Sequence, residues 1–193
     1  MERVRYPDVS RTWIDRRGFM GLAAAAALTS GCLGEDLPEP VSLDDDKACD
    51  QCGMIIEDHP GPKAQTYYDD HVPEGRSEDD PAWFCSLVCM YNYYFDGRDG
   101  GLTPLVHYVT DYSALDYEVV DEGGSLYVTA HLAAEGFVDG DRTTLVVDSD
   151  AQGAMGPSLV PFTSSEDAEE FQAEYGGDLV DFDDVDQELL GAL

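Results

Sequence analysis

Four cysteines fall in two close pairs, and no other feature restricts this chain as strongly. Cys49-Asp50-Gln51-Cys52-Gly53-Met54 sets two thiols on either side of a two-residue spacer, then a glycine where the backbone can turn sharply, then a thioether. Phe84-Cys85-Ser86-Leu87-Val88-Cys89 sets two more around a three-residue spacer, at what reads as a strand-to-helix junction. Thiolate and thioether sulfurs are soft donors that select Cu(I), zinc or iron–sulfur over hard cations. A cysteine pair in a turn, matched with cysteines at a helix start, is also how structural zinc sites are built. Two disulfides are the other use of an even cysteine count in an exported chain. Disulfide-dense scaffolds are small and lack a core, whereas this chain has 193 residues and several apolar strands. That favours metal. Cys85 would sit just before the helix and Cys89 in its first turn, where the positive helix end favours thiolates. A thioredoxin-like use of Cys49 and Cys52 is weaker, because no βαβ pattern surrounds them.

Charge is the second constraint. Ten Lys+Arg stand against 41 Asp+Glu, a formal net charge of −31. Such a chain repels itself in dilute buffer, yet 43% of its residues are hydrophobic and regularly patterned, which argues against disorder. A halophile's surface explains both, since molar salt screens carboxylates over roughly 3 Å. An acidic protein with cationic partners is the alternative. Nucleic acid is excluded as a partner, because nothing basic is present to neutralise phosphates.

Residues 1–31 read as an export signal. Arg16-Arg17-Gly18-Phe19-Met20 resembles the twin-arginine pattern, with Asp15 where Ser or Thr is usual, and Gly21 to Leu28 is an alanine-rich apolar run. At about 10 residues it is too short to span a membrane and suits a signal core. Leu28-Thr29-Ser30-Gly31-Cys32 resembles a lipobox, which makes Cys32 the lipidated first residue of the mature chain; an ordinary signal peptide with an incidental cysteine is the alternative. From Cys32 onward the chain carries 5 basic and 38 acidic side chains. Residues 32–47 are Pro- and Asp-rich without periodicity and read as a disordered tether.

Beyond the tether the pattern predicts an α+β fold of two ββαβ-like units, residues 48–112 and 113–193. In the first, strands are expected at Met54–Ile56, Ala64–Tyr68 and Ala82–Phe84. A helix N-capped by Ser86 follows and runs to about Phe95, and Leu105–Val109 closes the unit. In the second, strands are expected at Leu126–Thr129, Thr144–Val147 and Ser158–Phe162. The Ser164-Ser165-Glu166-Asp167 stretch then opens a helix that Gly176-Gly177 stops, and Leu179–Phe182 is the last strand.

The order Cys49-Asp50-Gln51-Cys52-Gly53-Met54, Val109-Thr110-Asp111-Tyr112, Gly153-Ala154-Met155-Gly156, Val160-Pro161-Phe162, then Phe171 and Gly176-Gly177-Asp178-Leu179, resembles the NosL family over residues 48–185. These are membrane-anchored copper chaperones that serve assembly of nitrous oxide reductase. The resemblance implies two ββαβ units, Cu(I) as cargo, and a copper-receiving partner such as nitrous oxide reductase or its assembly transporter. It also implies a location at the extracytoplasmic face of the membrane. Tyr117 stands where a tryptophan is expected, and residues 131–143 look inserted. The segment from Phe84 to Cys89 resembles the small TRASH/YHS-type metal modules. With Cys85 and Cys89 added, a four-thiolate site would favour zinc over exchangeable copper.

As copper ligands, Cys49 and Cys52 come first, then Met54, then Met155. The thioether of Met54 suits a weak, displaceable ligand, although next to Ile55 and Ile56 it can equally fill core. Met155 lies between glycines and before Pro157, a tight surface turn and a poor place to bury methionine for packing alone. If the two units pack face to face, its loop would approach the Cys49–Met54 turn. His59 is a lesser ligand candidate; His107 reads as a core histidine, and His71 and His131 have no local support. Asp148-Ser149-Asp150 opens like a calcium loop but lacks the terminal glutamate, so it reads as a turn. No Ser/His/Asp set or phosphate loop is present, and catalysis is not expected.

Overall fold

Strand β1 (Ala64–Asp69) is the axis of the first unit: β2 (Ala82–Phe84) and β3 (Thr103–Thr110) pair with it antiparallel, one on each side. The computed structural model describes residues 37–69, 71–77 and 79–193; the signal segment and Cys32 lie outside them. Helix α1 (Leu87–Arg98) crosses from β2 to β3. Its first turn is closed by Ser86, whose hydroxyl accepts from the Cys89 N–H at 3.2 Å, the N-cap role the sequence suggests. Leu87, Met90, Tyr91 and Phe95 recur at helical spacing and are buried against the sheet. In β1, Ala64 and Tyr68 belong to that same core.

The other face of β1 is covered by residues 37–43. The Gln65 side-chain amide accepts from Val41 N–H and donates to Val41 C=O, both at 2.8 Å, and the Tyr67 hydroxyl donates to Glu39 C=O. Leu43 is fully buried and its N–H bonds Leu132 C=O. The tether expected over 32–47 is therefore packed structure from residue 37 on, because the buried Gln65 amide needs backbone partners and Val41 supplies them. Residues 32–36 lie outside the described residues.

The second unit repeats the topology. Strand β7 (Thr144–Val147) is central, flanked antiparallel by β9 (Leu159–Phe162) and β10 (Asp178–Asp181), with helix α2 (Ser165–Tyr175) as the crossover. Ser164 caps α2 by accepting from Asp167 N–H, and Gly176, at φ +74°, ends it. Phe162, Ala168 and Phe171 form a second core with Tyr112. The α+β fold of two ββαβ-like units is thus found. A third small sheet joins β4 (Val119–Glu122) to β5 (Ser125–Val128), and β5 runs parallel to β8 (Ala151–Gln152). Within residues 131–143, the stretch that looked inserted, β6 (Phe137–Asp139) adds to the free edge of β3. A short terminal helix α3 (Gln187–Ala192) follows.

One expected strand is absent. Ile55 makes a single bridge to Ala48, and the chain then enters a 3₁₀ turn at Ile56–Asp58. Gly53, at φ +76°, has already reversed the backbone, so Met54–Ile56 closes a loop rather than joining a sheet. The two halves are sewn together by Asp111. Its carboxylate accepts from Thr163 N–H and Oγ1–H at 3.1 and 2.8 Å and from Ser113 N–H at 3.0 Å.

Candidate metal centre

The first cysteine pair is held in a closed loop. Gly53 N–H bonds Cys49 C=O and Cys49 N–H bonds Met54 C=O, both at 2.8 Å. Asp50 anchors this loop to β2: its carboxylate accepts from Trp83 N–H at 2.8 Å and from the Arg76 guanidinium at 2.8 Å. Arg76 lies over the Trp83 ring, 3.2 Å from its centroid, and the indole N–H donates to Ala48 C=O at 2.8 Å. Burial pushes the Asp50 carboxyl up, and the Trp83 N–H and Arg76 charge pull it back. None of these partners stood out in the sequence. The aspartate inside the cysteine spacer and an arginine that is one of only 5 basic residues from Cys32 onward were the available signals.

The second pair sits where β2 becomes α1. The loop anchored on Trp83 therefore meets the thiols that follow Phe84. The Sγ atoms of Cys49, Cys52, Cys85 and Cys89 all lie within 4.8 Å of one another. Cys52 and Cys85 are 3.5 Å apart and Cys85 and Cys89 3.7 Å. All four are free thiols. A tetrahedron with metal–sulfur bonds of about 2.3 Å has sulfur–sulfur edges of about 3.8 Å. The set therefore fits a single soft ion. Among the described residues it is the one such group of cysteine, histidine and carboxylate side chains. Cys49, Cys85 and Cys89 are buried and Cys52 is exposed, so the cluster opens to solvent through one sulfur.

The thiols share charge unequally. The neighbouring Cys85 and Cys89 thiols hold the Cys49 thiol well below its ordinary range. The proximity of Cys49, with burial, pushes Cys85 far up and Cys89 up to about 12. The helix end was expected to favour thiolates at Cys85 and Cys89. The neighbouring Cys49 and burial push both of those thiols up instead. A metal cation would reverse this, since coordination needs thiolates and releases their protons.

Lys63, which nothing in the sequence singled out, reaches the backbone of Cys85. It is fully buried, and its ammonium donates to the carbonyls of His59, Pro60 and Cys85 at 2.8, 2.9 and 3.2 Å. Burial pushes it down to about 8, and the charges of Cys85 and Cys49 oppose that fall.

The remaining candidates divide. Met54 is half-buried and packs against the main core. Met155 is 48% exposed, in a turn closed by Gly153–Gly156 backbone bonds. That turn touches Gly61: at φ +86°, a Cβ on Gly61 would come within 2.5 Å of Gly153 Cα. His59 enters only through its carbonyl. His107 bonds Thr66 Oγ1 at 2.8 Å, His71 bonds the Tyr93 hydroxyl, and His131 packs edge-on to Tyr112. No helix among the described residues is long and apolar enough to cross a membrane.

A family model described as NosL matches residues 40–190. The copper-binding lipoprotein NosL of Stutzerimonas stutzeri is 32% identical over 152 residues, 79% of this chain and 68% of that protein. The copper-binding lipoprotein NosL of Achromobacter cycloclastes is 30% identical over 180 residues, 91% of this chain and 83% of that one. The crystal structure of the copper chaperone NosL from Shewanella denitrificans superposes with a TM-score of 0.64 at 26% identity, covering 79% of this chain and 98% of that one.

Proposed function

The chain belongs to the NosL family, and from that premise we propose that it is a lipid-anchored carrier of Cu(I). In this reading it works at the extracytoplasmic face of the membrane and hands its ion to a copper-receiving partner by ligand exchange. The observation that carries the reading is the asymmetry of the sulfur cluster. Four thiols converge within 4.8 Å, with three buried and Cys52 in solvent. Soft sulfur selects Cu(I), buried donors protect it, and the exposed one is where an incoming sulfur or imidazole starts the exchange. Cys49 and Cys52 are the principal ligands, Cys85 and Cys89 complete the set, and Met54 and Met155 are auxiliary thioethers. Nitrous oxide reductase, or the transporter that assembles it, is the recipient the family resemblance suggests. Binding and transfer require no catalytic group. Cys32 is the lipidation point, in keeping with relatives that are named lipoproteins.

One observation favours a second reading. The sulfur–sulfur distances of 3.5 and 3.7 Å also suit a closed four-thiolate zinc site with a structural role. Metal analysis after anaerobic purification in high salt separates the two. Copper that a Cu(I) chelator withdraws supports the carrier; tightly retained zinc with no copper uptake overturns it.

A further inference from the structure

We propose that Lys63 is the fixed counter-charge of the sulfur site, a positioning residue that stabilises the metal-bound, anionic cluster and holds the Cys85 corner in place. The proposal rests on reading the four cysteines as metal ligands. Lysine is almost never fully buried unless paired, yet Lys63 is fully buried in a chain rich in carboxylates. Among the described residues the two ion pairs are Lys47–Asp44 and Arg76–Asp50, and Lys63 is in neither. Its three ammonium donors are used on neutral carbonyls instead. One of those carbonyls belongs to Cys85, a residue of the sulfur cluster.

That arrangement suits a metal site. Two thiolates on Cu(I) leave one net negative charge, and four leave three; on zinc, four leave two. A buried, uncompensated charge is costly. An ammonium has no acceptor lone pair, so Lys63 supplies positive charge without competing for the ion. Its place is fixed by the bonds it makes. One carbonyl belongs to Cys85, at the β2–α1 corner from which two ligands leave. The other two belong to His59 and Pro60, beside the Gly61 contact on which the Met155 turn sits. Lys63 thus ties the sulfur site to the stretch that touches the second half.

The test uses Lys63→Gln and Lys63→Met in the full chain, metal-free and anaerobic. Thermal unfolding of the metal-free protein and affinities for Cu(I) and Zn(II), by chelator competition, are read for each. Gln keeps a donor for the carbonyls and removes the charge; Met removes both. The expected result is a Gln variant whose metal-free unfolding is close to that of the parent but whose metal affinity falls about 10- to 100-fold, the usual cost of losing a residue that supports metal ligands. The Met variant should lose as much affinity and unfold more easily. Unchanged affinity in a folded Gln variant overturns the proposal, as does a Gln variant that fails to fold. If the parent takes up zinc but no Cu(I), the copper reading fails and the Zn(II) affinities still decide the role of Lys63. If the parent binds neither metal, the counter-charge role falls with the metal site.

Discussion

Cys52 is exposed while Cys49, Cys85 and Cys89 are buried, so the two pairs should respond differently to substitution. Replacing Cys49 and Cys52 together by Ser is expected to abolish tight Cu(I) binding with the fold intact. The loop they occupy is held by backbone bonds and by Asp50, not by sulfur. Replacing Cys85 and Cys89 should also lower Cu(I) affinity, because the sulfurs form one cluster. It should also cost more stability, about 1–3 kcal/mol for each hydroxyl left in the core without a partner, because both of its sulfurs are buried where the first pair buries only Cys49. Cu(I) competition and denaturant unfolding on both double variants check this; full copper affinity in the second would exclude Cys85 and Cys89 as ligands. Met155→Leu keeps volume and removes sulfur. With its thioether exposed on a turn seated at Gly61, the expected effect is slower copper transfer to an acceptor with affinity little changed. An unchanged transfer rate removes Met155 from the path.

At the scale of elements, the β1–β3 sheet buries a titratable group beneath α1. His107 on β3 bonds Thr66 on β1 and packs against Tyr94 and Phe182. Burial alone pushes its pKa from 6.5 down to about 4. As pH falls, the unfolded chain takes up this proton first, so stability present above the unfolded value is lost between pH 6.5 and about 4. At about 1.4 kcal/mol per pH unit the loss is about 3 kcal/mol. Denaturant midpoints across that range should show it, and His107→Gln should remove that part of the slope. Elements with a local signal were legible in the sequence. The Ser86 and Ser164 caps, the Gly176 stop and the apolar strands β1, β7 and β9 all stand where their residue types put them. What failed lacked such a signal. Ile55 and Ile56 favour strand, but the Gly53 reversal leaves them one bridge and a 3₁₀ turn. Strand β4 is Val-Val-Asp-Glu, too short and charged to stand out, and exists through its pairing with β5. The four cysteines were legible as one cluster, since two close pairs of soft donors can share a site. Lys63 and the Arg76–Trp83–Asp50 anchor were not, because their roles arise only when distant segments meet.

The whole chain is strongly acidic. Its formal charge of −31 disfavours the compact state at low ionic strength, so the unfolding temperature should climb as salt is raised toward the molar range. A flat or falling salt dependence would contradict a surface adapted to high salt. Cys32→Ser should leave copper binding intact and release the protein from membranes, since it removes one lipid attachment. Membrane fractionation of that variant, with its signal still cleaved, tests the anchor; continued tight retention would contradict it. The central claim is that the four-cysteine cluster carries exchangeable Cu(I). Its most direct test is a chelator competition titration of the anaerobic, metal-free protein. The account predicts tight uptake of Cu(I) at the cysteines and its surrender to a stronger Cu(I) acceptor. Failure to take up Cu(I), with zinc held firmly at the same four thiols, would contradict it.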